Sequence, residues 1–115
     1  MSRTSMWATL AGGRAEPGGG VEANLGKIVD MLAATIAQRR REMPDGSYTA
    51  KLLAGGTERV AQKVGEEAVE VVVAALGDER LAEEAADLIY HLLVLLEERG
   101  VGIGEVARVL RDRHR

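Results

Sequence analysis

Two acidic clusters interrupt the most hydrophobic stretches of this chain, and no other feature restricts its fold as tightly. The first is Lys63-Val-Gly-Glu66-Glu67-Ala-Val-Glu70, which runs straight into Val71-Val-Val-Ala-Ala-Leu76. The second is Glu83-Glu84-Ala-Ala-Asp87-Leu-Ile-Tyr-His91, which runs into Leu92-Leu-Val-Leu-Leu96. An unpaired carboxylate placed in an apolar interior costs several kcal/mol or gives up its charge, so several together require compensation. A hard divalent cation is the simplest compensation, because its preferred ligands are oxygens.

Helical phasing sorts these acids. At about 100° per residue, Val60, Val64, Ala68, Val71 and Ala75 form one apolar stripe, with Lys63, Glu67 and Glu70 beside it and Glu66 next to them. On the second helix Glu84, Asp87 and His91 share a face, while Leu81, Ala85, Leu88 and Leu92 cover another. Beyond Glu70 and beyond Leu88 both helices are apolar all round, which predicts burial on more than one side. The short Gly77-Asp78 link makes the two helices antiparallel neighbours, so Glu67 and Glu70 are expected to face Glu84 and Asp87. Residues at i and i+3 project side by side, and two such pairs supply four carboxylates for one or two Mg²⁺ ions with positions left open. Magnesium keeps waters and is completed by substrate phosphates, so the pattern points to a polyphosphate ligand.

Each piece also has a plainer reading. A single Glu-x-x-Glu is ordinarily a solvated helix face, and Glu83 is expected on the surface. Lys63 is placed either to contact phosphate or to pair with Glu67 at i, i+4. His91 suits a hydrogen bond to a buried acid as well as it suits a ligand or proton-transfer role. Gly65, costly in mid-helix by roughly 1 kcal/mol against Ala, either permits a close backbone approach or has no role. Lys51 and Arg59, like Lys63, lie near the approach to the carboxylates and are candidate phosphate contacts; Arg39, Arg40 and Arg41 end the preceding helix.

The rest of the chain frames these helices. Its 115 residues suit one small domain that a hydrophobic interface with a second copy would strengthen. A net charge of −3 suggests neither a nucleic-acid nor a membrane partner, and the absence of cysteine excludes disulfides and thiolate sites. No secretory signal is recognisable and the apolar run Leu92–Leu96 is too short to span a bilayer, so a soluble cytoplasmic protein is expected. Residues 1–20, rich in glycine and holding Trp7, read as a poorly ordered leader, and 21–115 as the folded domain. Leu25, Ile28, Leu32 and Ile36 mark an amphipathic helix. Ser47 is expected to cap a short helix closed by Gly55-Gly56, Thr57 to cap the first acidic helix, and Asp78 the second. A last amphipathic helix carries Val106, Val109 and Leu110. The expected fold is all-α, with four to five helices and no strand.

Three segments carry a resemblance: Ser47-Tyr-Thr-Ala-Lys-Leu-Leu53, Gln62-Lys-Val-Gly-Glu-Glu-Ala-Val-Glu70 and Glu84-Ala-Ala-Asp-Leu-Ile-Tyr-His-Leu-Leu-Val-Leu95. From about Leu25 to His114 the chain resembles the phosphoribosyl-ATP pyrophosphatases of histidine biosynthesis, within the all-α MazG-like pyrophosphohydrolase superfamily. The superfamily's Glu-Glu-x-x-Glu and Glu-x-x-Asp pattern matches Glu66, Glu67, Glu70, Glu84 and Asp87. The resemblance implies Mg²⁺-dependent hydrolysis of phosphoribosyl-ATP to phosphoribosyl-AMP and pyrophosphate. It also implies a homodimer whose helices complete one bundle. In that reading Glu67, Glu70, Glu84 and Asp87 hold the metal, Glu66 positions the attacking water, and Lys51, Arg59 and Lys63 contact phosphates. The rivals are a house-cleaning nucleoside triphosphate pyrophosphohydrolase of the same superfamily and a non-catalytic helical dimerisation module. A di-iron carboxylate bundle is disfavoured, since such sites usually use two Glu-x-x-His pairs and this chain has none.

Overall fold

Helix caps and apolar spacing divide the chain into five helices among the described residues, 23–77 and 80–114 of a computed structural model. They are α1 (Leu25–Glu42), α2 (Tyr48–Ala54), α3 (Gly56–Gly77), α4 (Leu81–Glu98) and α5 (Ile103–Arg113), with no strand among these residues. The expected all-α fold is therefore the observed one. The leader expected over 1–20, with Trp7, lies outside the described residues.

Local chemistry explains most of the boundaries. The Asn24 side chain accepts the Lys27 amide at 3.0 Å and opens α1. Met43, in the left-handed region at φ 46°, closes it by donating its amide to the Arg39 carbonyl at 2.7 Å, and three arginines occupy the negative end of the helix dipole. Ser47 caps α2 as expected, its hydroxyl accepting the Ala50 amide at 3.1 Å. Thr57 does not cap α3. That helix begins one residue earlier, at Gly56, and places the Thr57 hydroxyl inside the first turn, where it donates to Glu98 on α4. Asp78 lies outside the described residues; Arg80 holds the N-cap position of α4, without a side-chain cap.

The core forms where α1, α2, α3 and α4 meet. Ile36 of α1, Leu52 of α2, Val60 of α3 and Tyr90, Leu93 and Val94 of α4 are buried together. The α3–α4 pair has the most extensive interface, and the short connection makes it antiparallel. Tyr90 brings a hydroxyl into this core and shares a hydrogen bond with the Thr49 hydroxyl. Burial drives its pKa upward, so the phenol keeps its proton and can donate. Arg40 ties α1 to α4 by donating to the Glu97 carbonyl and to its carboxylate. No helix among the described residues is long and apolar enough to cross a membrane.

Two apolar faces differ from expectation. The all-round burial foreseen past Glu70 does not occur within one copy, since Val72 and Val73 are each 57% exposed and Leu76 82%. The packing of α4 on α3 leaves these side chains facing solvent in a single copy. Leu25 and, on α5, Val109 and Leu110 are also exposed; only Ile103 of α5 is among the apolar residues packed on the core.

This burial map predicts unequal costs for similar truncations. Ile36→Ala should lower unfolding stability by about 2–5 kcal/mol, because its site is fully enclosed. Leu25→Ala should change it by less than about 0.5 kcal/mol. Urea denaturation of the two variants, with the slope unchanged, checks the assignment.

Candidate functional site

The α3–α4 packing brings three acids to one point. Glu67 from α3 and Glu84 and Asp87 from α4 each offer a carboxylate oxygen, and the three oxygens lie within 4.8 Å of one another. All three residues are buried, Glu67 completely. Glu84 and Asp87 share a face because they are three residues apart on one helix, and the antiparallel pairing sets Glu67 opposite them.

Two cations attend the cluster. Lys63 Nζ lies 3.4 Å from Glu67 Oε2 and also 3.4 Å from Glu66 Oε1, so one ammonium spans both acids. Arg80 Nε lies 3.8 Å from Glu84 Oε2 across one helical turn. The pairing of Lys63 with Glu67, the plainer of its two readings, is thus present. Three converging carboxylates with a single turn of cations on either side form an all-oxygen donor set. It suits a hard divalent ion that completes its shell with water and substrate oxygens.

The other candidates fall around this centre at varying distance. Glu70 is half-buried on α3 and is not one of the three converging acids. Glu66 is exposed, with Gln62 Nε2 donating to it at 2.9 Å. That hydrogen bond, and then Lys63, hold its carboxyl below the usual range, so it is a charged acceptor and a weak base. Glu83 is exposed, as expected. Lys51 and Arg59 do not join the acids; they line a separate cavity of about 640 Å³ between the α1–α2 loop and the first turns of α2 and α3.

His91 links the two places. Its Nδ1–H donates to the Asp87 main-chain carbonyl at 2.7 Å, and its Nε2 accepts the Tyr48 hydroxyl at 2.8 Å. Burial pushes its pKa below the ordinary histidine value, while the Asp87 carbonyl pulls the other way. The ring is therefore a neutral spacer with both nitrogens engaged. The bond expected to a buried acid is made to that residue's backbone. Tyr48, meanwhile, also lines the cavity. Sequence reasoning passed over Tyr48, since a partner 43 positions away leaves no local pattern. It also passed over Arg80, although the i, i+4 spacing to Glu84 was readable.

Comparison with known proteins identifies the family. The family model described as phosphoribosyl-ATP pyrophosphohydrolase matches residues 29–114, which include every acid discussed above. A phosphoribosyl-ATP pyrophosphatase of Metallosphaera sedula is 59% identical over 88 residues, covering 75% of this chain and 95% of the relative. One from Cereibacter sphaeroides is 53% identical over 88 residues, covering 75% and 85%. The histidine biosynthesis bifunctional protein HisIE of Xanthomonas axonopodis is 50% identical over 91 residues; the match takes in 77% of this chain but 44% of that longer protein. By the extent of the family match and the identity to near full-length relatives, the chain belongs to the phosphoribosyl-ATP pyrophosphohydrolase family.

Proposed function

We propose that this chain hydrolyses phosphoribosyl-ATP to phosphoribosyl-AMP and pyrophosphate, the second step of histidine biosynthesis, with Mg²⁺ as cofactor. The observation that carries the reading is the convergence of Glu67, Glu84 and Asp87 in a member of this family. Those three residues, with Glu70 beside them on α3, would hold the ion. When bound, Mg²⁺ supplies positive charge against the triphosphate and its departing pyrophosphate and lowers the pKa of a coordinated water.

The chain's own groups have distinct tasks in this reading. A water oxygen forms the new bond to phosphorus as the α–β anhydride bond breaks, the pyrophosphate oxygen takes the electron pair, and the water's proton passes to bulk solvent. Glu66, kept ionised by Gln62 and Lys63, accepts a hydrogen bond from that water and orients it; its lowered pKa suits positioning better than full proton removal. Lys63 fixes Glu66 relative to Glu67, and its third N–H is available to a phosphate oxygen. Arg80 steadies Glu84. Lys51 and Arg59 serve the substrate from the neighbouring cavity.

A cytoplasmic homodimer is part of the same proposal. Val69, Val72, Val73 and Leu76 are all exposed and recur at i, i+3, i+4 and i+7, so they make one apolar stripe on α3. A second copy is the occupant the family resemblance implies, and a stripe of this kind continuing beyond the acids supports it.

The purified protein should release pyrophosphate from phosphoribosyl-ATP in the presence of Mg²⁺ and stop when the metal is chelated. Asp87→Asn should lower turnover by roughly two orders of magnitude or more while far-UV circular dichroism stays helical. Faster pyrophosphate release from ordinary or damaged nucleoside triphosphates would favour a house-cleaning enzyme instead. Full activity of the Asp87 variant would remove that residue from the centre. Separately, Val72→Glu should convert a dimer to monomers in sedimentation velocity; an unchanged sedimentation coefficient would place any interface elsewhere.

A further inference from the structure

The cavity beside the acids has its own electrostatic character. Its walls include Tyr48, Ser47, Lys51 and Arg59, with Asp45 contributing one acid from the α1–α2 loop. Arg40, Lys63, Arg80 and Arg111 each have a carboxylate within ion-pair distance, whereas among the described residues no carboxylate forms an ion pair with Lys51 or Arg59. Two cations against one acid, in a concave space of about 640 Å³, favour an anionic small molecule.

Gly55 leaves room for the first carbons of the Arg59 side chain. The backbone there is right-handed helical, at φ −77° and ψ −9°, a conformation any residue adopts. A Cβ at that position, however, would sit 2.8 Å from both Cβ and Cγ of Arg59. Glycine is thus favoured by the start of the arginine side chain, which lies against it, and a Cβ would also come within 3.3 Å of the Leu52 carbonyl oxygen.

The proposed substrate has two anionic ends of different kind. Its triphosphate suits the carboxylate cluster, which can approach phosphate only through an intervening cation. Its phosphoribosyl end carries a single phosphate, close to a dianion at neutral pH, which suits direct contact with an ammonium and a guanidinium. The two places adjoin: Tyr48 lines the cavity, its hydroxyl meets His91 at 2.8 Å, and His91 meets the Asp87 carbonyl at 2.7 Å. We infer that Lys51 and Arg59 bind the phosphate of the phosphoribosyl group, so that this cavity distinguishes phosphoribosyl-ATP from ordinary nucleoside triphosphates. The inference rests on the substrate reading above and adds to it where the second anion is held.

A substrate-by-variant cycle tests the inference, with phosphoribosyl-ATP and its analogue lacking the phosphoribosyl phosphate assayed against wild type, Lys51→Met, Arg59→Met and Gly55→Ala. Removing the phosphate should raise the wild-type KM by roughly 10- to 100-fold, the range for a lost charge-assisted hydrogen bond. Lys51→Met and Arg59→Met should raise KM for the full substrate by a similar factor, with a much smaller effect on kcat, and should barely distinguish the two substrates. Gly55→Ala should weaken the discrimination in the same way, although it changes no charge. Variants that discriminate as well as wild type, or that lose both substrates equally, would overturn the assignment. Backbone-amide NMR shifts in chelator, on adding ribose 5-phosphate or ribose, read the same site without catalysis and confirm the fold. Shifts at Gly46 and Lys51 with ribose 5-phosphate alone, lost in the variants, are expected. Their absence overturns the phosphate site even if hydrolysis is confirmed. Their presence in a protein inactive on phosphoribosyl-ATP keeps the site and rejects the substrate reading.

Discussion

Mutual repulsion among Glu67, Glu84 and Asp87 is the constraint around which the rest of the molecule is arranged. Two full charges 4.8 Å apart repel by roughly 3–4 kcal/mol at an effective dielectric constant near 20, and three acids make three such pairs. Lys63 and Arg80, at 3.4 and 3.8 Å, offset part of this, but Lys63 also serves Glu66. The centre is held together by the packing of α3 on α4. A fold that concentrates acids against its own stability in this way is poised to gain from a divalent cation.

The surrounding helices make that concentration tolerable and accessible. Val60 on α3 and Tyr90 and Val94 on α4 supply an apolar anchor one to two turns along their helices from the acids. Ile36 of α1 belongs to the same core, and Arg40 ties α1 to α4 at Glu97. The short α2 contributes Tyr48 to His91 and Thr49 to Tyr90, so a single turn of helix is tied to α4 by two side-chain bonds. The same turn carries Lys51 into the cavity. Core, acids and cavity therefore share their supports, and displacement of α2 would disturb all three.

Most of the scaffold was legible from local chemistry. Periodicity located α1 and the two long acidic helices, and Ser47 and the terminal arginines marked the start of α2 and the end of α1, because serine and arginine act within a few residues of the boundary they set. Thr57 was misread, because its hydroxyl has a better partner in Glu98, on a helix 41 positions away. At the centre, phasing found Glu67, Glu84 and Asp87 but could not separate them from Glu70, whose smaller burial depends on how α3 rotates against α4. Residues whose roles come from tertiary neighbours, such as Tyr48 and Gly55, carried no local signal at all. The apolar stretch past Glu70 reads as hydrophobic and as covered on more than one side; in a single copy Val72, Val73 and Leu76 are exposed, and sequence pattern does not say what covers them.

The central claim is that the converging acids are a metal centre. It is tested most directly by locating Mn²⁺, as a magnesium substitute, through its anomalous scattering in crystals of the protein. The account predicts a peak coordinated by Glu67, Glu84 and Asp87 at the α3–α4 interface. Mn²⁺ bound only at other carboxylates, or ordered density for a Lys63–Glu67 pair with no ion at saturating Mn²⁺, would contradict it.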